Sequence, residues 1–280
     1  MKQYYYLCSS LIDLILDSKN KFFSSLDLLQ FCEEEMTKRD FNDLKFLYIF
    51  NDIKNIINTK EILDDEKKYI YPAYYTLEEF KENLKDPDSF LPFIAEFLFN
   101  KKNEKRIYPH LLEIDELITF FYNYLDTIDN QFIRDFFSFE LLLRNLTTAI
   151  SFKKNNLSYA TKIIPAGDYY EIILKSNSND FGLSKEFHFI EKLLEVYESS
   201  DLIKREKEEE LIRWDYLDEY VGKDFFSTNF VFSYAIKLRS VERWLSLKKE
   251  IGEEILTKLI EDIKSKISFS DEIFVVGGKK

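Results

Sequence analysis

The stretch Asp129-NQFIRDFFSFELLLRNLTTAISFKKN-Asn156 decides the fold. Phe132, Ile133, Phe136, Phe137, Phe139, Leu141, Leu142, Leu143, Leu146, Ala149, Ile150 and Phe152 cover most of a helical wheel, so the segment is expected to be a helix buried on several sides. Such a helix needs neighbours on each side. Leu142, Leu146 and Ala149 form one seam, while Glu140 and Arg144, four apart on roughly the opposite side, are expected to pair along the helix. Asn145 lies at the seam's edge, where a buried amide needs partners of its own. All three read as structural groups that fix packing geometry.

Working outward, composition agrees with a helical class. Six Gly and five Pro in 280 residues leave few of the sharp turns that an all-β protein or a glycine-loop α/β protein uses, while 27 Phe and 18 Tyr promise a large core. The expectation is an all-α chain with little or no β structure. A net charge of -12 disfavours a nucleic-acid partner or an anionic membrane surface, because binding to phosphate draws on Lys and Arg. Cys8 and Cys32 form no CxxC motif and lie in amphipathic segments, so they read as reduced core thiols of an intracellular protein. The N-terminal apolar run is too short for a secretory signal. No window approaches the roughly 20 apolar residues of a membrane span.

Upstream of the central helix, Tyr4 to Leu16 combines Tyr-rich β-like residues with helical Leu/Ile spacing and predicts a short extended start followed by a helical turn. Phe22 to Met36 reads as a helix with Ser24 and Ser25 as candidate N-caps. Asp40 to Thr59 reads as one helix that sets Asp52 and Asn55 among apolar positions. Thr76 and Glu79 fit a capping box, Pro92 suits the first turn of a helix ending near Phe99, and a further helix is expected from Leu111 to Leu125.

Downstream, Ile163 to Asn179 reads as a linker with a short strand or helical turn, and Ser184 as the cap of a helix through His188 and Tyr197. The charge block Lys204 to Glu210 reads as a solvated helix face or loop. Phe230, Tyr234, Leu238, Val241 and Leu245 form a seam flanked by Arg239, Glu242, Arg243 and Trp244, of which Arg239, Glu242 and Trp244 are expected to be structural. Ile251, Ile255, Leu259, Ile263 and Ile267 continue at helical spacing, and the GGKK tail reads as frayed. RDFFS at 134–138 and KDFFS at 223–227 echo each other. Three regions divided near 105 and 170 suggest three similar helical bundles, 1–105, 106–170 and 171–280.

Chemistry is hard to place on this chain. His110 and His188 lack metal-ligand spacing, and no Glu-x-x-His or HExxH occurs. Asp64-Asp65-Glu66 is similar to the magnesium-binding aspartates of all-helical prenyl enzymes, but Lys67 and Lys68 stand where further carboxylates would be wanted. Gly277-Gly278-Lys279 lacks the strand and helix of a phosphate loop. No catalytic residue, cofactor or metal is expected.

Four windows in order carry a family resemblance: Tyr4-Tyr5-Tyr6-Leu7; Asp43-Leu44-Lys45 through Asp52 and Asn55; Phe139-Glu140 through Leu143-Arg144-Asn145-Leu146; and Leu238-Arg239 through Glu242-Arg243-Trp244-Leu245. Together they resemble the C subunit of V-type and archaeal-type ATPases, known as the d subunit in eukaryotes. More narrowly, the chain looks like shorter proteins of unassigned function encoded among V-type ATPase genes in some bacteria. It departs from them at Ile12, where they usually carry proline after the first Ser-Leu. The resemblance implies a non-catalytic funnel of three related bundles that seats the central rotor stalk and couples it to the membrane ring for proton or sodium transport. Its implied partners are the stalk subunits and the ring, met at the cytoplasmic face without membrane insertion. The alternative is a soluble helical adaptor or scaffold unrelated to the ATPase, and a third reading is an all-helical enzyme using Asp64 and Asp65.

Overall fold

A computed structural model describes residues 3–16 and 24–246. These form thirteen α-helices: α1 (Tyr5–Ser10), α2 (Ser25–Glu35), α3 (Lys38–Phe46), α4 (Ile49–Ile57), α5 (Thr59–Asp64), α6 (Leu77–Asn83), α7 (Pro92–Lys102), α8 (Glu113–Tyr124), α9 (Gln131–Lys154), α10 (Tyr170–Lys175), α11 (Phe189–Glu198), α12 (Leu202–Val221) and α13 (228–246). Among the described residues there is no strand, only an isolated antiparallel bridge between Gln3 and Ser227. The protein is all-α. The expected helix at 251–267 and the GGKK tail lie outside the described residues.

The quoted stretch forms α9, whose first turn is capped by the Asn130 side chain accepting from the Ile133 N–H. Its two halves enter different cores. Phe132, Ile133, Phe136, Phe137 and Leu141 pack with α2, α4, α7, α8 and α13, whereas Phe139, Leu142, Leu143, Leu146, Ala149 and Ile150 pack with Ile163, Ile173, α11 and Ile212. Within the first core the Phe121 ring lies 5.0–6.1 Å from the rings of Phe46, Phe50, Phe93, Tyr122 and Phe137. Tilted and edge-on pairs of this kind each add about 0.5–1.5 kcal/mol beyond the area they bury. Five helices, α3, α4, α7, α8 and α9, are thereby locked at one point.

Two polar clamps recur inside this apolar frame. On α4, the buried Asn55 donates to the Ile70 carbonyl at 3.2 Å and accepts from the Ile70 N–H at 2.9 Å. On α9, the buried Asn145 does the same to Ile164, at 3.0 and 2.8 Å. Each isoleucine lies one or two residues before a proline, Pro72 or Pro165, in a segment without regular structure. An amide that offers both a donor and an acceptor satisfies such a backbone where no helix or sheet can. Asp52 extends the first clamp by accepting from the Tyr74 and Tyr75 N–H groups at 2.7 and 3.1 Å.

Local expectations meet mixed outcomes. Thr76 and Glu79 form the anticipated capping box, and Ser24 forms one with Asp27. The order at the N-terminus is reversed: the helix Tyr5–Ser10 comes first and 11–16 is irregular, because buried Tyr4 anchors the entry by donating its N–H to the Phe226 carbonyl at 2.7 Å. The single helix expected over Asp40–Thr59 breaks at Leu47-Tyr48, where the carbonyl of Leu47 accepts from the Arg239 guanidinium at 3.0 Å instead of from its own helix. Ile163–Asn179 contains the expected helical turn, as α10, but is buried structure and not a linker. Ile163 and Ile164 are buried against α9, Gly167 turns the chain at φ +74°, and α10 follows. Ser184 caps nothing: its hydroxyl bonds the Asp180 carboxylate, and the helix starts five residues later. The DFFS echo has no structural counterpart, since Phe136 and Phe137 are buried inside α9 while Phe225 and Phe226 are exposed on a turn.

Candidate functional site

The charged residues singled out on α9 do not pair with each other. Arg144 reaches across to Asp115 on α8 at 2.6 Å, and Glu140 pairs with Arg213 on α12. Four residues of helix place two side chains near one another, but each points toward a different neighbouring helix that supplies a closer partner. Asn145, by contrast, finds the partners its burial demanded in Ile164.

Around Arg213 the structure gathers an ion network. Arg213 lies 3.1 Å from Glu210, which also receives the Arg243 guanidinium at 2.6 Å, and Arg243 reaches Glu206 at 2.7 Å. Burial pushes the Glu210 carboxyl upward, yet Arg213 and Arg243 outweigh it and leave the group below its ordinary range. Burial likewise opposes the charge on Arg213, and Glu140 and Glu210 reverse that, holding the guanidinium above its usual value. The block Lys204–Glu210 is thus a solvated helix face in its first turns only. Glu210 falls on the stripe of Trp214, Leu217 and Val221, and that phase along the helix was the readable sign that it turns inward. Arg213 and Asp115 carried no comparable signal.

The residues picked from the last seam act as ties to the N-terminal helices. Arg239 holds Leu47, as described, and the Glu242 carboxylate accepts from the Ser25 N–H at 2.7 Å and from its hydroxyl. Trp244 is buried on the same helix. Ser25 therefore serves α13 while Ser24 does the capping of α2.

A groove of about 850 Å³ opens beside this network, between α9, α12 and the turn leading into α11. Asp135, Ser138, Phe139 and Leu142 line it from α9, and Ile212, Asp215, Tyr216, Glu219 and Tyr220 from α12, each set at the spacing of one helix face. At its floor the rings of Phe139 and Tyr216 stack at 4.0 Å and 4°. Phe187, His188 and Phe189 close the third side, with Phe139 and Phe189 meeting edge-on at 5.7 Å. Tyr220 donates to Asp135 at 2.9 Å, and Tyr169 donates to Glu186.

Other possible chemistry resolves into structure. Asp65 caps a 3-10 turn by accepting from the Lys67 N–H at 3.1 Å, and Glu66 pairs with Lys81. His110 and His188 are both exposed. Among the described residues no cluster of three or more His, Cys, Asp or Glu is arranged to hold a metal ion, and no helix is long and apolar enough to cross a membrane. Cys8 and Cys32 are free, buried thiols, pushed by burial to about 11 and about 12. Gly277-Gly278-Lys279 lies outside the described residues.

The comparisons with known proteins correct the family expected from the four sequence windows. Those windows record helix cores with an Arg or Asn at their edge, a pattern that buried helices adopt for packing alone. No curated protein and no solved structure matches the chain. Residues 1–267 match the family described as protein of unknown function (DUF2764), and the chain belongs to that family, not to the family of the V-type ATPase C subunit.

Proposed function

We propose that the protein is a non-catalytic component of a V-type rotary ATPase, one that seats the central rotor stalk and couples it to the membrane ring during proton or sodium transport. The observation that carries this reading is mechanical: the 24-residue α9 is built into both cores at once, and the aromatic lattice around Phe121 binds its neighbours to it. A part that passes torque between two bodies must not deform, and close-packed cores transmit strain. The repeated asparagine clamp supports a chain assembled from related helical units, in keeping with a three-bundle funnel at the cytoplasmic face of the membrane. A second reading, a helical adaptor or scaffold unrelated to the ATPase, draws on the open aromatic groove.

Affinity purification of the tagged protein from its native membranes, followed by mass spectrometry, separates the two. Stalk, ring and catalytic subunits should be recovered at comparable abundance, and lost when stalk and ring are dissociated. Recovery of none of them from membranes whose ATPase is intact overturns the proposal and leaves the adaptor.

A further inference from the structure

The groove between α9 and α12 has the shape of a helix seat with one helix missing. Two neighbouring helices each turn a stripe toward it, over Asp135–Leu142 and Ile212–Tyr220, and 1.5 Å per residue makes these stripes about 10–12 Å long, roughly two turns of an incoming helix. Ser138 is the one exposed residue in the buried run from Phe136 to Phe139, and its small side chain lets a third backbone come close. The floor is aromatic and aliphatic, from the stacked Phe139 and Tyr216 to Leu142 and Ile212.

Its rim is acidic. Asp215 and Glu219 are exposed, one turn apart on α12, and neither pairs with a cation among the described residues. Among the described residues Asp135 and Glu186 meet tyrosine hydroxyls, those of Tyr220 and Tyr169, and no cation. Lys192, the one lysine on the lining, is already paired with Glu208 at 2.9 Å. A partner that covers this surface must bring positive charge, or four carboxylates lose water without compensation.

We infer that the groove is a docking site for a cationic amphipathic helix of another protein, with apolar residues at i, i+3, i+4 and i+7 set on Phe139 and Tyr216, and Lys or Arg on both flanks facing Asp135, Glu186, Asp215 and Glu219. Arginine flanks gain further from the aromatic faces. A second copy of this chain, at net charge -12, is repelled. The inference stands apart from the ATPase reading, since the site selects its occupant by stripe and charge whatever assembly supplies it.

The probe is a fluorescein-labelled 14-residue Leu/Lys peptide with a helical apolar stripe, titrated against the full chain by anisotropy, beside a scrambled peptide of the same composition. Three proteins are compared: wild type, Asp215→Lys/Glu219→Lys at the rim, and Glu33→Lys/Glu34→Lys on an exposed face of α2 outside the groove's lining, which changes net charge equally. The striped peptide should bind wild type and the α2 variant alike, lose roughly tenfold or more in affinity on the rim variant, and outbind the scrambled peptide. Equal loss on both variants, or equal binding of both peptides, reduces the effect to bulk charge and overturns the proposal. Dimerisation of the wild type that the rim variant abolishes, seen by sedimentation, overturns it in favour of a second copy.

Discussion

Replacing Asn145 by alanine isolates the clamp between α9 and the segment before Pro165. The side chain makes two hydrogen bonds to the fully buried Ile164; among the described residues the Ile164 N–H has no other partner, whereas its carbonyl also accepts from the Ala166 N–H at 2.9 Å. A buried backbone N–H left unpaired costs about 1–3 kcal/mol, so Asn145→Ala should lose about that much. At about 2–4 °C per kcal/mol for a chain of this size, Tm should fall by roughly 2–12 °C. Equilibrium urea unfolding gives the free energy, and hydrogen exchange over 163–175 should show that segment opening first. Asn145→Leu separates causes, because it refills the space without restoring the donor and acceptor. If Asn145→Leu retains wild-type stability within about 0.5 kcal/mol, the cost is that of a cavity and the reasoning about orphaned backbone groups fails.

Arg213→Ala leaves Glu140 and the buried Glu210 without their shared cation and should cost about 3–5 kcal/mol, whereas Arg144→Ala, whose side chain is 40% exposed beside Asp115, should cost about 1 kcal/mol or less. Similar urea midpoints for the two would refute that ranking. Lys153→Ala should also lower the urea midpoint, because the ammonium bonds the Asn177 and Ser178 carbonyls and lies 4.8 Å from the Phe181 ring centroid. Gly167→Ala meets both a φ of +74° and a Cβ 2.7 Å from Leu141 Cδ2, and should lose about 1–3 kcal/mol by calorimetry; an unchanged transition would show that the turn relaxes freely. Burial pushes the Asp52 carboxyl up to about 7, with the Tyr74 and Tyr75 N–H groups opposing. The folded state therefore holds that proton more tightly than the unfolded chain, so the contribution of Asp52 to stability is greatest below about pH 4 and is lost as pH rises toward 7. Asp52→Asn removes this slope, and its deficit relative to wild type should shrink between pH 5 and pH 8; a deficit that widens would reverse the assignment.

What could be read from the sequence was whatever neighbouring residues decide among themselves. The Thr76 and Glu79 box, the extent of α9 and the need of Asn145 for partners are settled within a few turns of chain. What could not be read was set from far away. The break between α3 and α4 depends on Arg239, 192 residues distant, and the true partner of Glu140 lies 73 residues on. Nor does spacing along one helix tell which neighbour a charge will face, and so Glu140 and Arg144 read as a pair. The Ile163–Asn179 segment looked like a linker because Pro165, Gly167 and a polar cluster mark irregular backbone. Irregular backbone is compatible with burial once an asparagine meets its donors and acceptors. The groove, too, needed the fold, since its two stripes lie some 75 residues apart in the chain and only α9 and α12 together make it a concavity.

The division of α9 between two cores also orders events in time as the chain leaves the ribosome. Everything the second core needs lies between Phe139 and Tyr216, while the first core draws on residues from Tyr4 through Leu238. The inner core can therefore close while α13 is still being synthesised, and the N-terminal helices must wait for the arrival of Arg239 and Glu242 before Leu47 and Ser25 find their partners. Until then the aromatic faces of α4, α7 and α8 are only partly covered. That interval is when the nascent chain is most exposed to aggregation or to capture by a chaperone.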